Sequence, residues 1–153
     1  MINFTFKVQN ISFDQILSVW QSKLWPDRKS EIKTHSSMTL LDGTDMGVYN
    51  YTASYFGILH NNTLIAVNSG HKVNETEYRS RGLWVDPVYR KKGLATALLK
   101  ETQKQAQIEN CTIIWSLPRK SALPVYRKAG FLQFGDFFST ETADLNCYAV
   151  MDL

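Results

Sequence analysis

The sequence predicts an α/β protein of the α+β type, in which helices pack against a mixed β-sheet. Two observations support this prediction. Apolar residues recur at helical spacing after Ser12 and after Gly93, and β-like runs fill much of the chain between them. The length of 153 residues and the hydrophobic content of 44% suffice for one core without a metal or disulfide, so residues 1–153 are expected to form a single domain.

The first elements are a strand and a helix. Residues 3–8 alternate apolar and polar side chains, a pattern typical of a strand. Ser12 and Gln15 have the spacing of a capping box, and an apolar helical stripe follows: Phe13, Ile16, Leu17, Trp20 and Leu24. This helix is expected to end before Pro26. Residues 27–50 lack a clear period, and we interpret them as a flexible flap that can include a short second helix.

Three consecutive strands are predicted next. The run 53–59 is rich in aromatic and branched side chains, and a turn at 61–62 separates it from a second run at 64–67. These two runs form a predicted hairpin. The third strand covers 78–85, and Pro87 prevents it from continuing.

Two strand–helix alternations and a closing pair complete the chain. An amphipathic helix is predicted from Leu94 to about residue 110, followed by a strand at 111–115. A short helix then ends at Gly130, which has the position of a left-handed C′ residue. Residues 131–138 and 147–153 are expected to pair antiparallel. The predicted order is therefore β–α–(α)–β–β–β–α–β–α–β–β.

The most informative motif is the run Arg90-Lys91-Lys92-Gly93-Leu94-Ala95, between a strand and a helix. An R-x-x-G-x-A turn that leads into a helix points several backbone N–H groups at one spot, and the helix dipole adds positive potential there. Gly93 lets the backbone approach a phosphate without a Cβ in the way. This geometry suits a pyrophosphate, although neither G-x-x-x-x-G-K-[ST] nor G-x-G-x-x-G is present.

A second motif, A-x-x-x-Y-x-K-x-G-F, covers 122–131. Together the two motifs resemble those of the GNAT superfamily of acyl-CoA-dependent N-acyltransferases. The first matches its pyrophosphate turn, [Q/R]-x-x-G-x-[G/A], and the second its tyrosine helix. The resemblance covers 83–131 and implies a GNAT-like, mostly antiparallel sheet of about six to seven strands. It further implies helices on both faces of the sheet and a splayed parallel strand pair at the cofactor cleft.

The resemblance also implies acetyl-CoA as cosubstrate. Its pyrophosphate would lie on the turn, and its pantetheine arm would thread between two splayed strands and pair with their exposed backbone. The residues implied in cofactor binding are Leu83, Trp84, Val85, Arg90, Lys91, Lys92, Gly93, Leu94, Ala95 and Thr96. No metal is expected, because no histidine pairs with cysteines at the spacing of a zinc site.

Acetyl transfer to an amine requires a neutral amine and a proton for the leaving thiolate. By residue match, Tyr126 is implied to donate that proton, and packing beneath the sheet is its alternative role. A lysine-like amine with a pKa of about 10.4 is only about 0.04% neutral at pH 7, so a base is useful. The strand glutamate of many family members is replaced by Arg81. Glu77 has the same strand parity and is the candidate base, acting through a water; a surface carboxylate is its alternative role.

Several residues are candidates for acceptor binding. Arg79 and Arg81 would face the cleft and favour an acceptor with a carboxylate or phosphate, such as an amino acid or aminoacyl group. Arg119 occupies a position where the family often has an asparagine, and it is interpreted as binding phosphate or substrate, or as solvated. Four aromatic residues are candidates for either an acceptor pocket or the core: Tyr49, Tyr51, Tyr55 and Phe56.

Composition narrows the class of protein. The net charge of +3 and pI near 8.8 come mainly from two basic clusters, which suit a polyanionic ligand such as coenzyme A. Nucleic acid is a possible but not favoured partner, since a dedicated DNA binder has a longer basic face. No apolar run approaches twenty residues, and both cysteines lie in apolar runs, so we expect a cytoplasmic protein with reduced thiols and no membrane contact. A monomer or a homodimer is expected.

Three functions remain open at this point. The leading one is acetyl-CoA-dependent N-acetylation of a small-molecule or peptide amine. The second is acetylation of a macromolecule such as aminoacyl-tRNA or protein. The third is a non-catalytic acyl-CoA-binding module, which the missing strand glutamate favours.

Overall fold

A computed structural model describes residues 5–36, 51–140 and 144–153. Within these ranges, seven strands form one sheet in the order β1-β2-β3-β4-β5-β7-β6. The strands are β1 (Val8–Asn10), β2 (Ser54–His60), β3 (Thr63–Lys72), β4 (Glu77–Val85), β5 (Ile113–Ser116), β6 (Leu132–Phe138) and β7 (Asn146–Asp152). All neighbouring strands pair antiparallel except β4 and β5, which are parallel. The predicted mixed, mostly antiparallel sheet is confirmed.

Three helices accompany the sheet in the described residues. They are α1 (Phe13–Val19), which continues as a π-helical turn over Trp20–Leu24, α2 (Leu94–Ile108) and α3 (Leu123–Lys128). Ser12 caps α1 as predicted: its Oγ accepts from the N–H of Gln15 at 3.1 Å, and the Gln15 amide oxygen accepts from the N–H of Ser12 at 2.8 Å.

Two sequence predictions for the amino-terminal third need correction or lie partly outside the described residues. Of the predicted strand at 3–8, residues 5–7 are not in a strand and β1 begins at Val8, because its ladder with β2 extends only from Val8 opposite Ile58 to Asn10 opposite Phe56. Residues 3 and 4 lie outside the described residues. Residues 27–36 contain no helix. The rest of the predicted flap, 37–50, lies outside the described residues.

Helices cover both faces of the sheet, as predicted. Neighbouring residues of a strand point to opposite faces. Phe56 packs with α2, in a cluster that includes Leu94 and Leu98, whereas Tyr55 packs with Ile16 and Trp20 of the α1 segment. We call these two sides the α2 face and the α1 face.

The parallel pair opens along its length. Its ladder joins only Glu77–Arg79 to Ile113–Trp115, although β4 continues to Val85. A bulge at Gly82 (φ +78°) shifts the register of β4 against β3. The Trp20 indole N–H donates to the Gly82 carbonyl at 2.9 Å, and a Cβ at Gly82 would lie 2.4 Å from the Trp20 ring. The bulge therefore requires glycine both for its backbone angle and for the approach of Trp20.

Two further findings concern the broad class of the protein. Within the described ranges, no helix combines the length and the apolar character needed to cross a membrane. Cys111 and Cys147 are both buried and free of disulfide bonds.

Candidate active site

The turn between β4 and α2 has an open, left-handed backbone. Lys91 and Gly93 have φ values of +62° and +86°. A Cβ added to Gly93 would meet no other atom within 4 Å, so space is open in front of this residue. The Arg90 side chain is fixed against the strand end, because its Nε donates to the Val85 carbonyl at 3.1 Å.

The start of α2 supplies the backbone donors. Gly93 is the N-cap residue, and its carbonyl accepts the first helical hydrogen bond, from the N–H of Ala97 at 3.0 Å. The amides of the first turn, including those of Leu94, Ala95 and Thr96, have no acceptor within the helix. Leu94 is buried, so only its main chain is available to a ligand. The predicted turn residues therefore lie together, and their role in cofactor binding remains a prediction.

The end of β4 has an open edge. Trp84 and Val85 pair with Val67 and Ala66 of β3 on one side, whereas no strand pairs with residues 80–85 on the β5 side among the described residues. The side chains of Leu83, Trp84 and Val85 pack in the core. These residues therefore combine partly buried side chains with an open main-chain edge.

The Tyr126 ring belongs to the core, and its hydroxyl lies where β4 and β5 part. The residue is 4% exposed, and its ring packs edge-on against Phe131 with centroids 5.4 Å apart. Its hydroxyl lies 3.4 Å from Ser116 Oγ. Burial raises the pKa of the Tyr126 hydroxyl, while the Ser116 hydrogen bond and the Arg79 charge oppose that rise. Tyr126 is therefore protonated at neutral pH, the state that a proton donor requires.

A buried polar chain leads to this hydroxyl. Asn68 Nδ2 donates to Ser80 Oγ and to Thr102 Oγ1, both at 2.9 Å. Ser116 Oγ donates to the Ser80 carbonyl at 2.8 Å and contacts Tyr126. These hydrogen bonds were not predicted from the sequence, because a buried serine or asparagine in a strand cannot be distinguished by pattern from one that faces solvent.

Glu77 lies at the closed end of the parallel pair, opposite Ile113. Its carboxylate accepts from Asn74 Nδ2 at 3.0 Å. It shares the α1 face with Arg79, as strand parity predicts. Its role as a base remains a prediction, and in this structure the Asn74 contact holds it at the start of β4.

Arg81 is enclosed by two tryptophans. It is 5% exposed, and its guanidinium carbon lies 4.9 Å from the Trp20 ring centre and 5.6 Å from that of Trp25. Its Nη1 donates to the Lys33 carbonyl at 2.8 Å. Cation–π contacts and one backbone hydrogen bond thus anchor the 33–36 segment to β4.

Arg79 is the second buried cation of the α1 face. It is 8% exposed, and its guanidinium carbon lies 4.5 Å from the centre of the Trp115 ring. Its Nη1 donates to Ser36 Oγ at 3.0 Å, and its Nε to the Ser80 carbonyl at 3.4 Å. Burial lowers the pKa of this guanidinium to about 10, so it is still charged at pH 7. The contacts of these arginines with tryptophans were not predicted from the sequence; the available signal was a pair of arginines, Arg79 and Arg81, in one predicted strand.

His71 fixes the end of the 33–36 segment. Its Nε2 accepts from the N–H of Ser36 at 3.1 Å, and its Nδ1 donates to the Lys72 carbonyl at 3.0 Å. Both bonds together require a neutral ring. Burial, and then the neighbouring positive charges, lower the pKa of His71 to about 3.

The remaining predicted residues have structural contacts. Arg119 Nη2 donates to the Leu24 carbonyl at 2.9 Å and so ties the segment after β5 to the end of the α1 segment. Phe56 is a core residue, the second of the two roles considered for it. The Tyr55 hydroxyl donates to the Thr34 carbonyl, and the Tyr51 hydroxyl to Glu75. Tyr49 lies outside the described residues.

No group of three or more histidine, cysteine, aspartate or glutamate side chains in the described ranges is placed to hold a metal ion. The buried polar side chains instead contact backbone groups, hydroxyls and aromatic rings.

The fold is shared with many solved structures. A candidate N-acetyltransferase from Lactobacillus plantarum superposes with a TM-score of 0.70, at 14% identity over 98% of this chain and 99% of that one. The ribosomal-protein-S18-alanine N-acetyltransferase from Escherichia coli gives 0.66, at 16% identity over 97% and 94%. The IAA acetyltransferase from Bacillus cereus gives 0.66, at 14% identity over 97% and 100%. At these identities, the likeness shows the fold alone.

The sequence itself identifies the family. No curated relative matches it significantly. The model of the acetyltransferase (GNAT) family matches residues 13–131, which include the open turn, the parting strands and the tyrosine helix. The chain therefore belongs to the GNAT family of acetyltransferases.

Proposed function

We propose that the protein is an N-acetyltransferase that moves an acetyl group from acetyl-CoA to a primary amine by direct attack in a ternary complex. One observation carries the proposal. Strands β4 and β5 part between an open helix-terminal turn at Gly93 and the buried, protonated hydroxyl of Tyr126. A phosphate-binding corner and a proton donor at the two ends of one opening suit a thioester with a long phosphorylated arm.

The chain offers a suitable set of contacts for acetyl-CoA. The amides that begin α2 would bind the pyrophosphate, and the exposed Lys91 and Lys92 are close enough in sequence to add charge. The open main-chain edge of 83–85 would pair with the amides of the arm. Acetyl-CoA supplies an activated acyl group as a thioester; the protein residues orient it and handle the protons.

Tyr126 is the proposed proton donor. A thiol has a pKa of about 8.5 in water, so a departing thiolate gains from a proton supplied in the transition state. The raised pKa of Tyr126 keeps its proton in place until then. Ser116 holds the hydroxyl at the opening between the strands.

Glu77 is the proposed base, acting through a water on the α1 face. Deprotonation of a lysine-like amine at pH 7 costs about 4.6 kcal/mol, which a base would offset. Replacing Glu77 by Gln should then lower kcat/KM most strongly at low pH, where few amine molecules are neutral. An unchanged pH profile would mean that the amine loses its proton to solvent before it binds.

A non-catalytic acyl-CoA-binding module is the second candidate. It is favoured by Arg81, which occupies the position where many family members have a glutamate. Arg81 lies between two tryptophans and donates a hydrogen bond to the Lys33 carbonyl. A macromolecular acceptor is a variant of the enzymatic proposal, and the Escherichia coli neighbour is named for action on a ribosomal protein.

Two measurements distinguish these candidates. Saturating acetyl-CoA should raise the melting temperature, because a ligand that binds only the folded state stabilises it. Thiol release should occur with at least one member of a panel of amines, and Tyr126→Phe should lower kcat by about 10² to 10⁴ while keeping the thermal shift. A shift without thiol release would identify a binder, and no shift would refute both candidates.

A further inference from the structure

Two polar groups on the α1 face lack the partner that a buried group of their kind normally has. The first is the Arg79 guanidinium. No carboxylate of the described residues lies within 4 Å of it, and its hydrogen bonds go to a hydroxyl and a backbone carbonyl. A buried cation without a counter-ion is costly, so proteins normally pair such groups.

The second donor is the indole N–H of Trp115. This residue is fully buried, and its Nε1 has no hydrogen-bond partner among the described residues. A buried N–H group without an acceptor is rare in native proteins. The unpaired N–H belongs to the ring that the Arg79 guanidinium covers at 4.5 Å, so the two donors are neighbours.

The electrostatic surroundings favour an anion at this point. Burial is the main influence on the Arg79 guanidinium; Tyr126 and Tyr148 lie near it, and Arg28 adds a second positive charge. His71, opposite Arg79 on β3, is neutral. The described surroundings of these donors thus contain positive charges and polar hydrogens but no carboxylate close to Arg79.

We propose that Arg79 and the Trp115 N–H bind the carboxylate of the acceptor, so that the substrate is a primary amine that also carries a carboxylate. A carboxylate has two acceptor oxygens, which match two neighbouring donors, and its charge neutralises the buried guanidinium. This inference rests on the proposed function, since it assigns the acceptor of the same reaction.

The position of Arg79 gives this contact a role in orientation. Arg79 is the last β4 residue in the ladder with β5, and Ser80 and Ser116 beyond it lead to the Tyr126 hydroxyl. A carboxylate held at Arg79 would therefore direct the amine at the other end of the acceptor toward the opening between the strands. The distance between carboxylate and amine then selects the acceptor.

Matched substrate pairs test the proposal. We would compare kcat/KM for ω-amino acids, from glycine to 6-aminohexanoate, with the amino alcohols of the same length. The wild type should prefer the amino acid by at least about tenfold at the best length, the usual gain from a hydrogen bond to a charged group. Arg79→Met should bring that preference close to one, mainly through KM for the amino acid.

In each variant, the ratio of kcat/KM for the amino acid to that for the amino alcohol is the quantity compared. A general loss of activity lowers both values and leaves their ratio unchanged. The amine pKa differs within each pair but is the same for every enzyme variant, so a change in the ratio reports on the carboxylate. Trp115→Phe removes the N–H and should lower the preference about threefold, while Arg79→Lys should retain part of it. Arg127→Met removes a positive charge from α3 and should leave the preference unchanged. Equal wild-type rates within each pair, or an equal loss on both members in Arg79→Met, would overturn the proposal.

A binding measurement separates this inference from the proposed function. With CoA, which carries no acetyl group to transfer, at saturation, 4-aminobutyrate should raise the melting temperature of the wild type further, whereas 4-amino-1-butanol should not. Arg79→Met and Trp115→Phe should both weaken the extra shift. If no amine releases thiol, the proposed function fails, and the shift with 4-aminobutyrate still decides whether the carboxylate site exists. If no ω-amino acid from glycine to 6-aminohexanoate gives turnover or a shift, the site is refuted.

Discussion

The turn before α2 and the α1 face are built in different ways, although they meet at the same pair of strands. The turn consists of main chain: left-handed residues, the unpaired amides of a helix terminus and a glycine that faces open space. The α1 face consists of side chains from distant parts of the chain, with Arg79 and Arg81 each stacked on tryptophan. Only the second region depends on which side chains are present.

This difference suits the two ligands that the proposed reaction requires. A cosubstrate shared by a whole family is served by backbone geometry, which changes little when side chains change. An acceptor peculiar to one member needs side chains that can vary without disturbing that geometry. We therefore expect substitutions in the turn to act on cosubstrate binding, and substitutions on the α1 face to act on stability and acceptor choice.

Gly82→Ala is the strongest test of the α1 face. Its φ of +78° disfavours a side chain, and a Cβ would lie 2.4 Å from the Trp20 ring. The left-handed angle costs about 1–2 kcal/mol and overpacking about 1–3 kcal/mol, so the free energy of unfolding should fall by about 2–5 kcal/mol. Urea unfolding measures this change. A loss well below 1 kcal/mol would show that the bulge and Trp20 are not rigidly coupled.

The same contrast explains how much of the molecule could be predicted from sequence. Helix periods, the Ser12 cap and the turn at Gly93 are local, since the residues that define each lie within a few positions of one another. Thr102 lies on the buried side of α2, yet its hydrogen bond to Asn68 depends on strand register. That register includes the bulge at Gly82, which no local pattern indicates. Contacts set by register, such as that between Arg79 and Trp115, were therefore missed.

Gly93→Ala is the matched test of the turn. It has a similar φ, +86°, but a Cβ there would meet no other atom within 4 Å. Stability should therefore fall by only about 1–2 kcal/mol, the cost of the left-handed angle. The methyl group would occupy the proposed phosphate site, and the Kd for acetyl-CoA should rise at least about tenfold by calorimetry, a loss of about 1.4 kcal/mol. Unchanged affinity would place the pyrophosphate elsewhere.

A pH titration tests how the 33–36 segment is held, with an expected effect of about 1 kcal/mol per pH unit. The folded-state pKa of His71 is lowered to about 3, whereas an unfolded histidine has a pKa of about 6.5. Between these values, the unfolded state binds a proton that the folded state does not. Stability should thus be unaffected by His71 above pH 6.5 and should fall by about 1 kcal/mol per pH unit below it.

The experiment is urea unfolding from pH 7 to pH 5, a range in which few carboxylates titrate. Replacing His71 by Gln should flatten the slope. The N–H of Ser36 and the Lys72 carbonyl would each lose a bond in His71→Gln, so its stability at pH 7 should also fall. An unchanged slope in His71→Gln would mean that this ring is protonated in the folded state, and that Ser36 is held in some other way.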